Sequence, residues 1–279
     1  MKKVSVSVPA TIANLGSGFD TVGLAVSLRN VVTLEESDHF EVIEKGISVT
    51  GKDLIAEIVE TFLKENGYSK GVRVVKHSVI PPRKGLGSSA AAIVSALGAV
   101  MAFTDSLDNL QLVFNKAVEI EGHPDNVAPA VYGGLRISAH LSEGYTSLEM
   151  SVPFERLTIF VPPFETSTDK ARGALRKEVS LSQVVFNLQR FGILIAGFAN
   201  GKVLKEGFED ELHQKSRLSF HPQAMKFFEY LSYQLNLPTF LCGSGPSIGV
   251  VGRHADLQIP HGWEKLELDV SKKGLEIEN

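Results

Sequence analysis

Twenty consecutive residues, Gly85 to Thr104, carry no charge. By length alone such a run is able to span a bilayer. Its composition argues otherwise. It opens on Gly85-Leu86-Gly87-Ser88-Ser89, which is turn material, and continues in alanine-rich apolar sequence. A helix that is apolar all round and not in a membrane belongs in the interior of a protein. The chain must therefore build enough structure around this segment to bury it. Residues 71–79, just before it, alternate apolar and polar side chains as a half-buried strand does. The resulting unit is strand, glycine loop, buried helix.

The loop of that unit suits an anion. Gly85 and Gly87 accept backbone angles that other residues resist, and they let phosphate oxygens approach the main chain. A helix beginning at Ser88 and Ser89 aims free N–H groups and its positive dipole end at the same spot. The two hydroxyls can cap the helix or hold a metal ion. No Gly-Lys-Ser/Thr follows, so the loop is not a Walker A loop. Gly-x-Gly alone is a common turn before a buried helix. The weight lies in the full stretch from Pro81 to Ala91 in its strand–loop–helix context.

The rest of the chain reads as an ordinary globular protein. It has 279 residues, of which 43% are hydrophobic and 22% charged, enough for one large domain or two packed lobes. A net charge of −4 offers none of the basic footprint of a nucleic-acid binder. The single cysteine, Cys242, excludes an intramolecular disulfide and fits a reducing cytoplasm. After Met-Lys-Lys the sequence alternates Val4-Ser5-Val6-Ser7-Val8, which reads as a strand and not as a signal peptide. Strands are predicted over 3–8, 30–36, 39–45, 71–79, 157–161 and 248–251. Helices are predicted over 53–66, 90–103, 109–121, 180–200 and 222–234, the fourth of them buried on two sides. Residues 142–153 read as the least ordered stretch, and 240–247 as a second glycine-rich turn. Strands and helices mix without a βαβ rhythm, so the fold class is α+β, with lobes 1–152 and 153–279.

Three separated motifs resemble the GHMP kinase family, named for galactokinase, homoserine kinase, mevalonate kinase and phosphomevalonate kinase. They are the run from Val8-Pro9-Ala10-Thr11 through Asn14-Leu15-Gly16 to Gly18-Phe19-Asp20, the glycine loop, and Leu241-Cys242-Gly243-Ser244-Gly245-Pro246-Ser247. Within the family the sequence is most similar to the branch that phosphorylates homoserine. That likeness rests on the first motif and on three further stretches. One is Glu121-Gly122-His123-Pro124-Asp125-Asn126-Val127-Ala128-Pro129-Ala130. The others are Ser167-Thr168-Asp169-Lys170-Ala171-Arg172 and Leu212-His213-Gln214-Lys215-Ser216-Arg217. Ser17 stands where this branch usually has proline, Arg176 where proline is common, and Lys215-Ser216 replaces the usual Pro-Tyr.

The resemblance implies a two-lobed GHMP-kinase-like fold, with an N-terminal lobe like ribosomal protein S5 domain 2 and a ferredoxin-like C-terminal lobe. It implies transfer of the γ-phosphoryl group of ATP to L-homoserine by a cytoplasmic enzyme. Expected with it are a homodimer and no nucleic-acid or membrane partner. ATP is expected on Pro82, Arg83, Lys84, Gly85, Leu86, Gly87, Ser88, Ser89, Ala90, Ala91 and Ala92. Mg²⁺ is expected on Ser89 and Glu121, with Glu119 as the rival carboxylate. Asn14 and Asp20 are implied for the substrate ammonium, Arg172 and Arg217 for its carboxylate, and Asn126 for its hydroxyl. Thr168 and Gly245 stand beside them.

Asn126, Glu121, Ser89 and Asp125 form the implied catalytic set. Read singly, the arginines are surface ion pairs, Asn14 and Asp20 turn residues, and Cys242 apolar filler. Asn126 is no base, because an amide does not take a proton at neutral pH. Asp125 is its neighbour, and His123 is either a shuttle or a structural residue ahead of Pro124. Two alternatives stay open. One is another kinase of the family, such as a mevalonate kinase, whose substrate lacks an ammonium. The other is a nucleotide-binding protein without catalysis on the same fold.

Overall fold

The computed structural model describes residues 2–107 and 109–278, with the backbone alone at 168 and 169. In chain order the strands of the first half are β1 (Lys3–Ala13), β2 (Val22–Ser37), β3 (Glu41–Glu44), β4 (Ile47–Ser48), β5 (Gly71–His77), β6 (Leu135–Leu141) and β7 (Gly144–Met150). Its helices are α1 (Leu54–Glu65), α2 (Ser88–Phe103), α3 (Leu110–Glu121) and α4 (Pro124–Tyr132). The second half carries β8 (Arg156–Val161), β9 (Thr239–Leu241), β10 (Ile248–Val251), β11 (Glu264–Asp269) and β12 (Glu276–Glu278). It also carries α5 (Thr168–Gly173), α6 (Leu181–Ala199), α7 (Gln214–Leu218) and α8 (Pro222–Glu229), with a 3-10 turn at Lys205–Phe208.

The first sheet runs β12-β1-β2-β5-β3-β4, with β6 paired to the start of β2 and β7 to β6. The alternating valines put Val6 and Val8 into the core. Register against β2 shifts between Pro9 and Ala10. Pro9 has no N–H for the ladder, and such a residue sits naturally at a bulge. The second sheet, β11-β8-β10-β9, is antiparallel throughout. The two sheets are not independent. β12 crosses back to pair with β1, and one core cluster contains Val6 and Val94 as well as Ile159, Phe208 and Phe240.

The uncharged run is a core helix. Along α2, Ala90, Ala91, Ile93, Val94 and Leu97 are all buried, and the helix packs on α1, α3, β1 and β2. Gly98 lets Leu275 approach; an added Cβ would lie 2.7 Å from its Cδ2. Asp53 caps α1 by accepting from the Ala56 N–H, and Ile55, Ile58, Val59 and Leu63 face inward.

Three local expectations are corrected. Residues 142–153 are not the least ordered stretch: residues 144–150 of it form β7, which pairs with β6 in full register from Leu135↔Met150 to Leu141↔Gly144. β7 is an edge strand with Leu148 exposed, so it shows no inward apolar alternation. Helix α6 is not buried on two sides, because only Asn187, Leu194, Gly197 and Phe198 are buried while Leu181, Val185 and Leu188 face outward. By length and composition alone α6 is able to cross a membrane. α4 has no counterpart among the predicted helices. It carries Pro124 at its first turn and Pro129 inside it, and proline is a poor helix signal.

Candidate active site

The three glycine-rich motifs meet. An added Cβ on Gly85 would stand 2.0 Å from the Cys242 carbonyl oxygen, and one on Gly87 would stand 1.9 Å from Thr11 Oγ1. Both glycines also hold φ near +70°, at +78° and +66°. The glycine loop is therefore clamped between the first motif and the last. Backbone bonds complete the clamp: Thr11 N–H to Leu86 O at 3.2 Å, Gly243 N–H to Ala13 O at 3.2 Å, and Ser247 N–H to Lys84 O at 3.4 Å. Gly87 is the N-cap of α2, so the first free N–H groups of that helix open on a cavity lined by Gly85, Gly87, Ser88 and Ser89.

Beside the helix start, Ser89 Oγ donates to Glu121 Oε2 at 2.7 Å. Glu121 closes α3, and Gly122 at φ +88° turns the chain directly after it. Burial pushes the Glu121 carboxyl above its ordinary pKa, against the hydrogen bond from Ser89. Two residues on, His123 Nδ1 lies 2.6 Å from Asp125 Oδ1, which also accepts from the Asn126 N–H at 2.9 Å. Burial alone would lower the pKa of His123. The hydrogen bond and charge of Asp125, joined by the charge of Glu121, outweigh it and raise the value. Asp125 is only 2% exposed and its carboxylate is engaged by these two donors.

At the far end of the cavity stand opposite charges. Arg172 Nη1 and Nη2 donate to Asp20 Oδ2 and Oδ1, both at 3.1 Å, a two-pronged pair between α5 and the first motif. Arg217, from α7, is 4% exposed, and burial lowers its pKa. Its Nη1 donates to the Gly243 carbonyl at 2.9 Å. Asn14 Nδ2 donates to that same carbonyl at 3.0 Å, while Asn14 Oδ1 accepts from the Asp20 N–H at 3.0 Å. Between the two ends, Thr11 Oγ1 donates to Asn126 Oδ1 at 2.9 Å. That bond fixes the Asn126 amide with its oxygen on Thr11 and its NH₂ group left for the cavity.

Residues 53–134 match the family model described as the GHMP kinases N terminal domain. The chain is 36% identical to a homoserine kinase of Aquifex aeolicus over 253 residues, 88% of this chain and 85% of that protein. It is also 36% identical to a homoserine kinase of Desulfitobacterium hafniense over 267 residues, 92% and 90% of the two. This chain belongs to the homoserine kinase branch of the GHMP kinase family. Its fold is similar to the crystal structure of a homoserine kinase from Cytophaga hutchinsonii, with a TM-score of 0.84 at 24% identity, covering 99% of this chain and 98% of that one. A mevalonate-3-kinase from Thermoplasma acidophilum shares the fold more distantly, with a TM-score of 0.69 at 13% identity over 100% and 99% of the chains. The two-lobed α+β GHMP kinase fold is thus the fold of this protein.

Within this family fold, most of the residues singled out in the sequence line one cavity. Asn14, Asp20, Arg83, Gly85, Gly87, Ser88, Ser89, Glu121, Asp125, Asn126, Arg172 and Arg217 all do so. Others of the set lie elsewhere. Lys84 turns away, its Nζ donating to the Pro162 and Phe164 carbonyls at 2.9 and 2.8 Å. Leu86, Ala90 and Ala91 are buried in the core, Pro82 and Ala92 are outside the lining, and Gly243 and Ser244 line the cavity where Gly245 does not. The side chain of Thr168 lies outside the described residues. Glu119 is exposed on α3 and does not line the cavity. Sequence reasoning gave no role to Thr11, and the signal for it, the motif Pro9-Ala10-Thr11, was in view without a partner to explain it.

Proposed function

We propose that this chain catalyses ATP-dependent phosphorylation of L-homoserine to O-phospho-L-homoserine, a step of threonine biosynthesis. The observation that carries the reading is one cavity with two chemically distinct ends. A glycine loop and helix N-terminus suited to phosphates face Asp20, Arg172 and Arg217, suited to an amino acid. In this structure Asp20 and Arg172 neutralise each other. A zwitterion exchanges that pair without stranding a charge, its ammonium taking Asp20 and its carboxylate the guanidinium groups. A mevalonate-like substrate, without an ammonium, leaves Asp20 unmatched.

The residues divide the work of phosphoryl transfer, which is mainly positioning and electrostatic stabilisation. Main-chain N–H groups of the loop and of α2 receive phosphate oxygens. Ser89 and Glu121 are two hard oxygen donors side by side, and a cation there would favour the charged form of Glu121 that burial disfavours; they would hold Mg²⁺. When bound, that ion supplies positive charge against the phosphates. The NH₂ group of Asn126 orients the homoserine hydroxyl, whose oxygen forms a bond to the γ-phosphorus as the bond to the β–γ bridging oxygen breaks, releasing ADP. Neither Asp125 nor His123 is a free base: one is buried and engaged, the other is held toward its cationic form. The hydroxyl proton therefore leaves late, to an oxygen of the transferred phosphoryl group.

With this reading go a first lobe over 1–152, which β12 rejoins, and a second lobe from residue 153 onward, meeting at one site, a cytoplasmic location, and no nucleic-acid or membrane partner. The outward Leu181, Val185 and Leu188 of α6 support a homodimer. The test is ADP release by purified protein with Mg-ATP against homoserine, mevalonate and no acceptor. Homoserine-dependent ADP release with O-phosphohomoserine as product is expected. Equal turnover of mevalonate, or ATP binding without any product, would overturn the reading.

A further inference from the structure

Arg217 enters the cavity with half of its guanidinium already committed. Nη1 carries two hydrogens, one donated to the Gly243 carbonyl at 2.9 Å and the other directed at His213 Nδ1 at 3.3 Å. Nε is buried and has no partner among the described residues. A guanidinium grips a carboxylate in a two-pronged fashion along one edge. With Nη1 spent and Nε buried, no whole edge is free, and Nη2 is the donor left for a ligand.

His213 is what spends the second Nη1 hydrogen. It is 1% exposed and sits one helical turn before Arg217. Its Nε2 lies 2.9 Å from the Gly16 carbonyl, which can only accept, so Nε2 carries a proton. Its Nδ1 faces a guanidinium, which can only donate, so Nδ1 carries none. Two partners of opposite kind thus specify one neutral tautomer, and burial, which lowers the pKa of this ring, acts in the same sense. The ring is stacked on Phe19, centroids 5.0 Å apart at 19°, and the Arg217 guanidinium lies 5.1 Å from the same Phe19 ring. Asp210 holds the backbone beneath, accepting from the N–H groups of His213 and Gln214 at 2.8 and 2.7 Å.

We propose that His213 is a positioning residue for the substrate carboxylate: as its Nε2–H tautomer it holds Arg217 by Nη1 and so leaves Nη2 for the ligand. The proposal rests on the homoserine reading for the identity of that ligand. His213→Phe keeps a ring against Phe19 and removes both nitrogens. It is expected to raise the KM for homoserine about tenfold, as the loss of one well-placed hydrogen bond does, with kcat and the KM for ATP within about twofold of normal. His213→Asn places an amide oxygen near the position of Nδ1 and is expected to restore most of the affinity. Turnover of 3-aminopropan-1-ol, which lacks the carboxylate, is expected to be indifferent to both changes.

A merely structural histidine would lower activity on both acceptors together, in proportion to folded protein, and leave the KM values alone. That pattern contradicts the proposal. Long-range ¹H–¹⁵N spectra of the unmutated protein supply a readout independent of turnover and of how the variants fold. Neutral His213 protonated on Nε2 is expected. An Nδ1–H tautomer, or a cationic ring at pH 7.5, overturns the arrangement. If the unmutated protein fails on homoserine, the functional reading falls, and the tautomer alone decides the His213–Arg217 geometry.

Discussion

Glu121 and Glu119 are separated by one residue and by their surroundings. Glu121 meets Ser89 and lines the cavity, whereas Glu119 is exposed on α3. Glu121→Gln removes the charge and keeps the shape, and is expected to cut turnover by orders of magnitude with an unchanged far-ultraviolet spectrum. Glu119→Gln is expected to behave as the unmutated enzyme, and the reverse pattern would show that the other carboxylate is used. His123 gives a prediction in pH. Its pKa is raised in the fold, chiefly by Asp125 acting against burial. Its contribution to stability is therefore complete below its ordinary value of about 6.5 and lost as pH rises through the raised value. The Tm gap between the unmutated protein and His123→Gln should be widest near pH 6 and narrow by pH 9; a gap that widens with pH contradicts the pairing. What single residues could not show in sequence was their partner. Asp20 and Arg172 lie 152 positions apart, and the amide of Asn14 is taken up by Asp20 and Gly243.

Among the elements, the strand–loop–helix unit was legible because its signals are local: an uncharged run, two glycines, two serines and an alternating strand before them. The structure adds why each glycine is required. Gly87→Ala meets both a positive φ and Thr11 Oγ1 at 1.9 Å, whereas Gly122→Ala meets a positive φ and open space. Left-handed backbone costs a non-glycine residue about 1–2 kcal/mol, and overpacking adds about 1–3. Urea denaturation should thus show roughly 2–5 kcal/mol lost for Gly87→Ala and no more than about 2 for Gly122→Ala. Similar losses at both sites would mean that the loop is not clamped as described. α4 and β7 escaped notice for opposite reasons. The prolines of α4 disguise a helix whose packing holds it, with Pro129 leaving the Asp125 carbonyl to lie against Gly23. Among the described residues β7 pairs with β6 alone, so its sequence carries little apolar pattern.

Across the whole molecule, two sheets from the two halves of the chain share one core, and the cavity lies where their loops meet. The first motif brings Asp20, and the second half of the chain brings Arg172 and Arg217. The phosphate-facing loop is seated between Thr11 and Cys242. Neither half holds the site alone: one end of the cavity reads phosphates, the other reads an amino acid by both of its charges. The most direct test is kcat/KM for L-homoserine, for 3-aminopropan-1-ol without the carboxylate and for 4-hydroxybutanoate without the ammonium, in the unmutated enzyme and in Arg217→Leu. A lost charge-assisted hydrogen bond is worth about 1.5–3 kcal/mol, about 10- to 150-fold. Both analogues should be poorer than homoserine by at least tenfold, and Arg217→Leu should lower the value for homoserine and 4-hydroxybutanoate while sparing 3-aminopropan-1-ol. If 3-aminopropan-1-ol is phosphorylated as well as homoserine, or if Arg217→Leu weakens all three equally, the cavity does not read the substrate by its charges and the account is wrong.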